Sequence, residues 1–64
     1  MIVNGKETTV DRGITLEEFL ITSGFDISRI AVELNGKIAS RDTYGMIVLE
    51  DSDSMEIVSF VGGG

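Results

Sequence analysis

Gly62, Gly63 and Gly64 follow directly on an apolar, β-prone run from Met55 to Val61, a juxtaposition that points to chemistry at the α-carboxylate of Gly64. Glycine has no Cβ, so a glycine tail bends freely and its backbone can lie close against another protein's active site where a side chain would clash. Val61 to Gly64 extend over roughly 13 Å at about 3.3 Å per residue, enough to carry a carboxylate clear of a folded body. A linker stub is the bland alternative for such a tail. The second group of interest is the acidic stretch Glu50, Asp51 and Asp53. It lacks the ligand spacing and glycine placement of a calcium loop and reads as a solvated turn.

Elsewhere the side chains offer little chemistry. The 64 residues include no Cys and no His, which removes thiolate nucleophiles, imidazole bases, disulfides and the usual zinc ligands. A self-contained enzyme is not expected, nor is a metal site or a cofactor bound by this chain. Eleven acidic residues against five basic ones leave a net charge of −6, which repels nucleic-acid phosphates and anionic lipid but steers the chain toward a basic protein surface. With no charged leader and no long apolar stretch, the cytoplasm is the expected compartment.

The elements that must hold the tail can be read from turn chemistry. Asn4-Gly5 and Asn35-Gly36 each separate short β-prone runs, and Asn-Gly supplies the two positive-φ residues of a tight hairpin turn. They predict one hairpin pairing Met1 to Val3 with Lys6 to Val10 and another pairing Ile30 to Leu34 with Lys37 to Ala39. Between them, Thr15 as N-cap and Glu18 three residues on form a capping box, flanked by Ile14 and Phe19 at the staple positions. Glu17 and Glu18 favour the positive end of the helix dipole, Leu16, Phe19 and Leu20 make one apolar stripe, and Gly24 stops the helix. A weak strand at Ile47 to Leu49, an acidic turn and a strong closing strand complete the order ββ, α, ββ, β. This is the order of the β-grasp: an α+β domain, ubiquitin-like, with a mixed sheet of four to five strands and one main helix packed across it. The closing strand is expected beside the first and parallel to it. The chain divides into a domain over residues 1–60 and a flexible tail over 61–64.

Alternation sends Ile30, Val32 and Leu34 to the core and Ala31 and Glu33 outward. In the closing strand Met55 and Ile57 point inward, which puts Val58 and Phe60 on the solvent side with Glu56. Parity is ambiguous for Met1 to Val3, with Val3 favoured inward. Val58, Phe60 and Val61 are therefore candidates for docking a partner beside the tail. The cations Lys6, Lys37, Arg12, Arg29 and Arg41 are scattered along the chain, and Arg41 is a further docking candidate.

Val3-Asn4-Gly5, Ile14-Thr15-Leu16, the run Ile30 to Gly36, the segment Arg41 to Tyr44 and, above all, Asp51 to Gly64 resemble the ThiS-like sulfur carriers of thiamine biosynthesis. The resemblance spans nearly the whole chain, with Ser52 standing where members often have Gly between the two acids. It implies that an E1-like adenylating enzyme uses ATP and Mg²⁺ to activate the Gly64 carboxylate, with Gly62 and Gly63 threaded into the partner's active site. A cysteine-derived sulfur donor enzyme then yields a thiocarboxylate, and thiazole synthase takes the sulfur. Three alternatives stay open: a carrier for molybdopterin or another acceptor, a ubiquitin-like protein modifier, and a passive interaction domain that uses Val58 and Phe60.

Overall fold

A computed structural model describes residues 1–60. Val61, Gly62, Gly63 and Gly64 lie outside the described residues, and with them the expected tail. Strands β1 (Ile2–Val3) and β2 (Lys6–Glu7) form the first hairpin. Helix α1 (Leu16–Thr22) follows, then β3 (Ile30–Leu34), β4 (Lys37–Ile38) and β5 (Ser54–Ser59). The five strands make one sheet in the order β2-β1-β5-β3-β4, with β5 parallel to β1 and antiparallel to β3. This is the expected β-grasp arrangement, closing strand beside the first included.

Local chemistry accounts for each turn. Asn4 and Gly5 have φ of 51° and 83°, and Asn35 and Gly36 have 51° and 85°, the double left-handed geometry that keeps two-residue loops in step with strand twist. At the start of α1 the Thr15 hydroxyl accepts from the Glu18 backbone N–H at 3.1 Å, and Glu18 Oε1 accepts from the Thr15 N–H at 3.1 Å. At its end Gly24, with φ of 87°, lets its own N–H reach Ile21 and the Phe25 N–H reach Leu20. These two bonds satisfy carbonyls that the finished helix leaves open.

The core lies between sheet and helix. Ile30, Val32, Met55 and Ile57 from the sheet meet Leu16, Phe19 and Leu20 from α1, with Met1, Tyr44 and Leu49 closing the sides. Leu34 is half-buried against the same core, as is Val3, which settles the parity of β1 in favour of Val3.

Three expectations need correction. Ile47 to Leu49 is not a strand but a single bridge between Thr15 and Val48. Its neighbours support the helix start: Ile47 accepts from the Leu16 N–H at 2.8 Å, and the Leu49 N–H reaches Ile14 at 2.9 Å. Pairing stops there because the chain on the other side turns into α1. The hairpins are also shorter than expected, with β2 ending at Glu7 and β4 at Ile38. Finally, two 3₁₀ segments, Ile27–Arg29 and Arg41–Met46, were not anticipated. The first is capped by Asp26, whose carboxylate accepts from the Ser28 N–H at 3.0 Å and the Ser28 hydroxyl at 2.6 Å. The second buries Tyr44.

Candidate functional site: the end of the central strand

The residues that lead into the glycine tail emerge from the middle of the sheet. β5 is held on one side by β3, in a register that places Ile30 opposite Ser59, and pairing continues to the Phe60 N–H, which reaches Arg29 at 2.8 Å. On the other side β1 is short. It pairs with β5 only at Ser54 and Met55, and the Asn4 N–H adds a bond to the Met55 carbonyl at 2.9 Å. The Asn4 side chain then takes over. Its Oδ1 accepts from the Ile57 N–H at 2.8 Å and its Nδ2 donates to the Ile57 carbonyl at 3.4 Å. One carboxamide thus supplies the donor and acceptor of a missing strand residue and fixes β5 three residues before Phe60. Asn4 serves twice, as turn former and as strand clamp.

Val58 and Phe60 are 57% and 52% exposed, on the face turned away from the core, as parity requires. The third docking candidate, Val61, lies outside the described residues. Two guanidinium groups share this end of the sheet. Arg29 precedes β3 and lies 3.4 Å from Asp26, while Arg41 donates to the Ile30 carbonyl at 3.3 Å. They look scattered in the sequence. The 3₁₀ turns that carry them bring both to the start of β3, where Ile30 lies opposite Ser59. Asp26 completes the cluster, its carboxyl held below the ordinary value of 3.8 by the hydrogen bonds from the Ser28 side chain and backbone, with smaller help from Arg29 and Arg41.

The acidic turn is a structural lock. Asp53 Oδ2 accepts from the Glu50 N–H at 2.8 Å and Oδ1 from Asn35 Nδ2 at 2.9 Å, while Asn35 Oδ1 accepts from the Ser54 N–H at 2.9 Å. The carboxylate ties the turn before β5 to the β3–β4 hairpin. No group of three or more potential metal-binding side chains occurs among the described residues. A concavity of about 400 Å³ is bounded by Val10 to Gly13 and Val48 to Asp51, and includes none of the residues around Phe60. No helix among the described residues is long and apolar enough to cross a membrane.

The ThiS family matches residues 1–64, the whole of the chain. The chain belongs to the ThiS family. A sulfur carrier protein ThiS from Bacillus subtilis is 36% identical over 64 residues, covering 97% of this chain and 96% of the relative. The crystal structure of a ThiS thiamine biosynthesis protein from Geobacter metallireducens superposes with a TM-score of 0.80 at 33% identity, over 98% of this ThiS-family chain and 96% of that one. A thiazole synthase from Magnetococcus marinus is 44% identical over 62 residues, which are 97% of this chain and 19% of the relative. A second, from Paramagnetospirillum magneticum, is 36% identical over 64 residues, 100% of this chain and 20% of the relative. The ThiS-family chain spans about a fifth of the length of these two thiazole synthases.

Proposed function

We propose that this chain is a sulfur carrier for the thiazole of thiamine and that it works through the α-carboxylate of Gly64. The observation that carries this reading is the family match over residues 1–64, which takes in Gly62, Gly63 and Gly64. The chemistry suits the chain. A carboxylate is ionised at neutral pH and resists nucleophiles. Attack of a carboxylate oxygen on the α-phosphorus of ATP releases pyrophosphate and makes an acyl-adenylate, from which AMP departs readily. A sulfide-level sulfur nucleophile from the cysteine-derived donor then attacks the acyl carbon, forms the C–S bond as the bond to AMP breaks, and leaves a thiocarboxylate. The chain contributes only the acyl group. ATP, Mg²⁺ and the cations that offset phosphate charge belong to an E1-like adenylating partner, with the carrier acting as its co-substrate in the cytoplasm.

Thiazole synthase is the favoured acceptor over molybdopterin, because two relatives bearing that name contain a region similar to almost the whole chain. In this reading Val58, Phe60 and Val61 dock the partner while Gly62 and Gly63 fill a narrow channel.

The test is ATP–pyrophosphate exchange with an E1-like enzyme, run on the full chain, a Gly64-deleted chain and a C-terminally amidated chain. Deletion moves the carboxylate about 3.5 Å back along an extended tail, a shortfall as large as the roughly 3 Å near-attack distance itself. Exchange should collapse for both altered chains. An amidated chain that supports exchange as well as the parent would sink the carrier reading in favour of a passive interaction domain.

A further inference from the structure

The open face of the sheet carries a charge arrangement that the fold itself does not explain. Glu33 on β3 lies directly opposite Glu56 on β5. The bonds from the Phe60 N–H to Arg29 and from the Asn35 N–H to Ser54 set the alternation along these strands. Glu33 and Glu56 therefore form a hydrogen-bonded pair, with Cα atoms about 5.5 Å apart and side chains on the same face. Like charges placed so are destabilising. Both residues are exposed, and neither takes part in a salt bridge among the described residues. The surroundings are apolar. Val58 lies two residues along β5, Ile38 sits across from Glu33, and Ile2 is on the diagonal beyond Ser54; all three are exposed.

We propose that this face docks a basic protein surface, with an arginine of the partner seated between Glu33 and Glu56 and apolar side chains of that partner covering Ile2, Ile38 and Val58. The proposal rests on the carrier reading for the partner's identity, the E1-like adenylating enzyme, and adds how it is recognised. A planar guanidinium can donate to two carboxylates at once. Its charge relieves the repulsion that the free chain tolerates, so the pair contributes more in the complex than alone. A second copy of this chain is a poor occupant. Its net charge of −6 and its own two carboxylates would meet like with like.

The experiment is a binding titration of the amidated chain, which cannot be adenylated, against the E1-like enzyme at several salt concentrations. The variants are Glu33→Gln/Glu56→Gln, Glu56→Lys, and a control Glu50→Gln/Asp51→Asn that removes the same charge from the turn. The double Gln variant should bind about tenfold more weakly with a flatter salt dependence, at a melting temperature equal to or above the parent's. Glu56→Lys should be the most stable and the weakest binder, because its ammonium satisfies Glu33 within the chain and occupies the arginine's place. The control should bind as the parent does. Unchanged affinity in the Gln and Lys variants overturns the proposal, as does an equal loss in the control, failure of the parent to bind, or self-association of the parent through this face. Pyrophosphate exchange reports separately on the carboxylate, so a parent that exchanges while its Gln variant binds normally sinks only this proposal.

Discussion

At the scale of the residue, Thr15 and Glu18 show how far short-range chemistry determines structure. Both reciprocal bonds of the capping box are present, and the Thr15 hydroxyl also lies 3.0 Å from Glu18 Oε1. Thr15→Ala should cost about 1 kcal/mol, the usual loss for an N-cap, seen as a lower denaturant midpoint at unchanged slope. Asp26 carries a pH signature. Its carboxyl is held below the ordinary value of 3.8 in the folded chain, so the folded state binds that proton less readily than the unfolded state. The resulting stabilisation is present above the ordinary value and lost as pH falls through the lowered one. The margin of the parent over Asp26→Asn should therefore shrink from neutral pH into the acid range, as followed by denaturant midpoints. A constant margin would show that the ionised carboxylate contributes nothing through Ser28. The Thr15–Glu18 box is legible in the sequence because its fixed spacing leads into an apolar stripe, whereas the Asp26–Ser28 cap, with no periodic run behind it, was not anticipated. Nor was the convergence of Arg29 and Arg41. It depends on the chain after the β3–β4 hairpin folding back so that Arg41 reaches the Ile30 carbonyl, a contact that no nearby residue announces.

At the scale of the element, β1 and β5 divide the labour unequally. β1 has two residues and β5 has six, and the Asn4 carboxamide makes up part of the difference at Ile57. Asn4→Gly keeps a residue tolerant of positive φ while deleting the clamp. We expect a loss of about 1 to 2 kcal/mol, with faster amide exchange at Ile57 and little change at Val32. A uniform rise across the sheet would mean that the turn, not the clamp, had failed. The long elements were readable because alternation and the 3.6-residue stripe repeat often enough to stand out. The segment Ile47 to Leu49 misled because three β-prone residues look alike whether they pair along a strand or through one bridge. The 3₁₀ turn Arg41–Met46 was missed because its cue is a serine–threonine turn, with the Thr43 N–H and hydroxyl both reaching the Ser40 carbonyl, rather than a periodic pattern.

At the scale of the whole molecule, the two faces of the sheet have different duties. One is filled by α1 and carries the stability; the other is open and holds Val58 and Phe60. Val58→Asp and Phe60→Asp should leave the melting temperature within a few degrees of the parent, since surface changes usually shift stability by about 0.5 kcal/mol or less. Both should weaken binding to an adenylating partner. Unfolding by either variant, or binding as tight as the parent's, would remove these residues from the docking face. Exposure was readable from parity because Glu56 marks the solvent side. The identity of whatever covers that face was not, because complementarity is a property of two surfaces.

The position of β5 has a consequence for how the protein is made. The strand at the centre of the sheet is the last of the five to be synthesised, and until Ser59 has left the ribosome the nascent domain holds only two separate hairpins, a seven-residue helix, two short 3₁₀ turns and the Thr15–Val48 bridge. Isolated hairpins are marginal in water, and so are helices that short. At roughly 5 to 20 residues per second, about 3 to 12 s of translation pass with no stable sheet to assemble on. The domain then closes in one step, when the strand that carries the tail inserts between β1 and β3. A nascent chain stalled before β5 should be degraded by protease at every site, whereas one stalled with β5 fully emerged should resist. The glycine end is therefore offered to a partner only on a molecule whose fold is already complete.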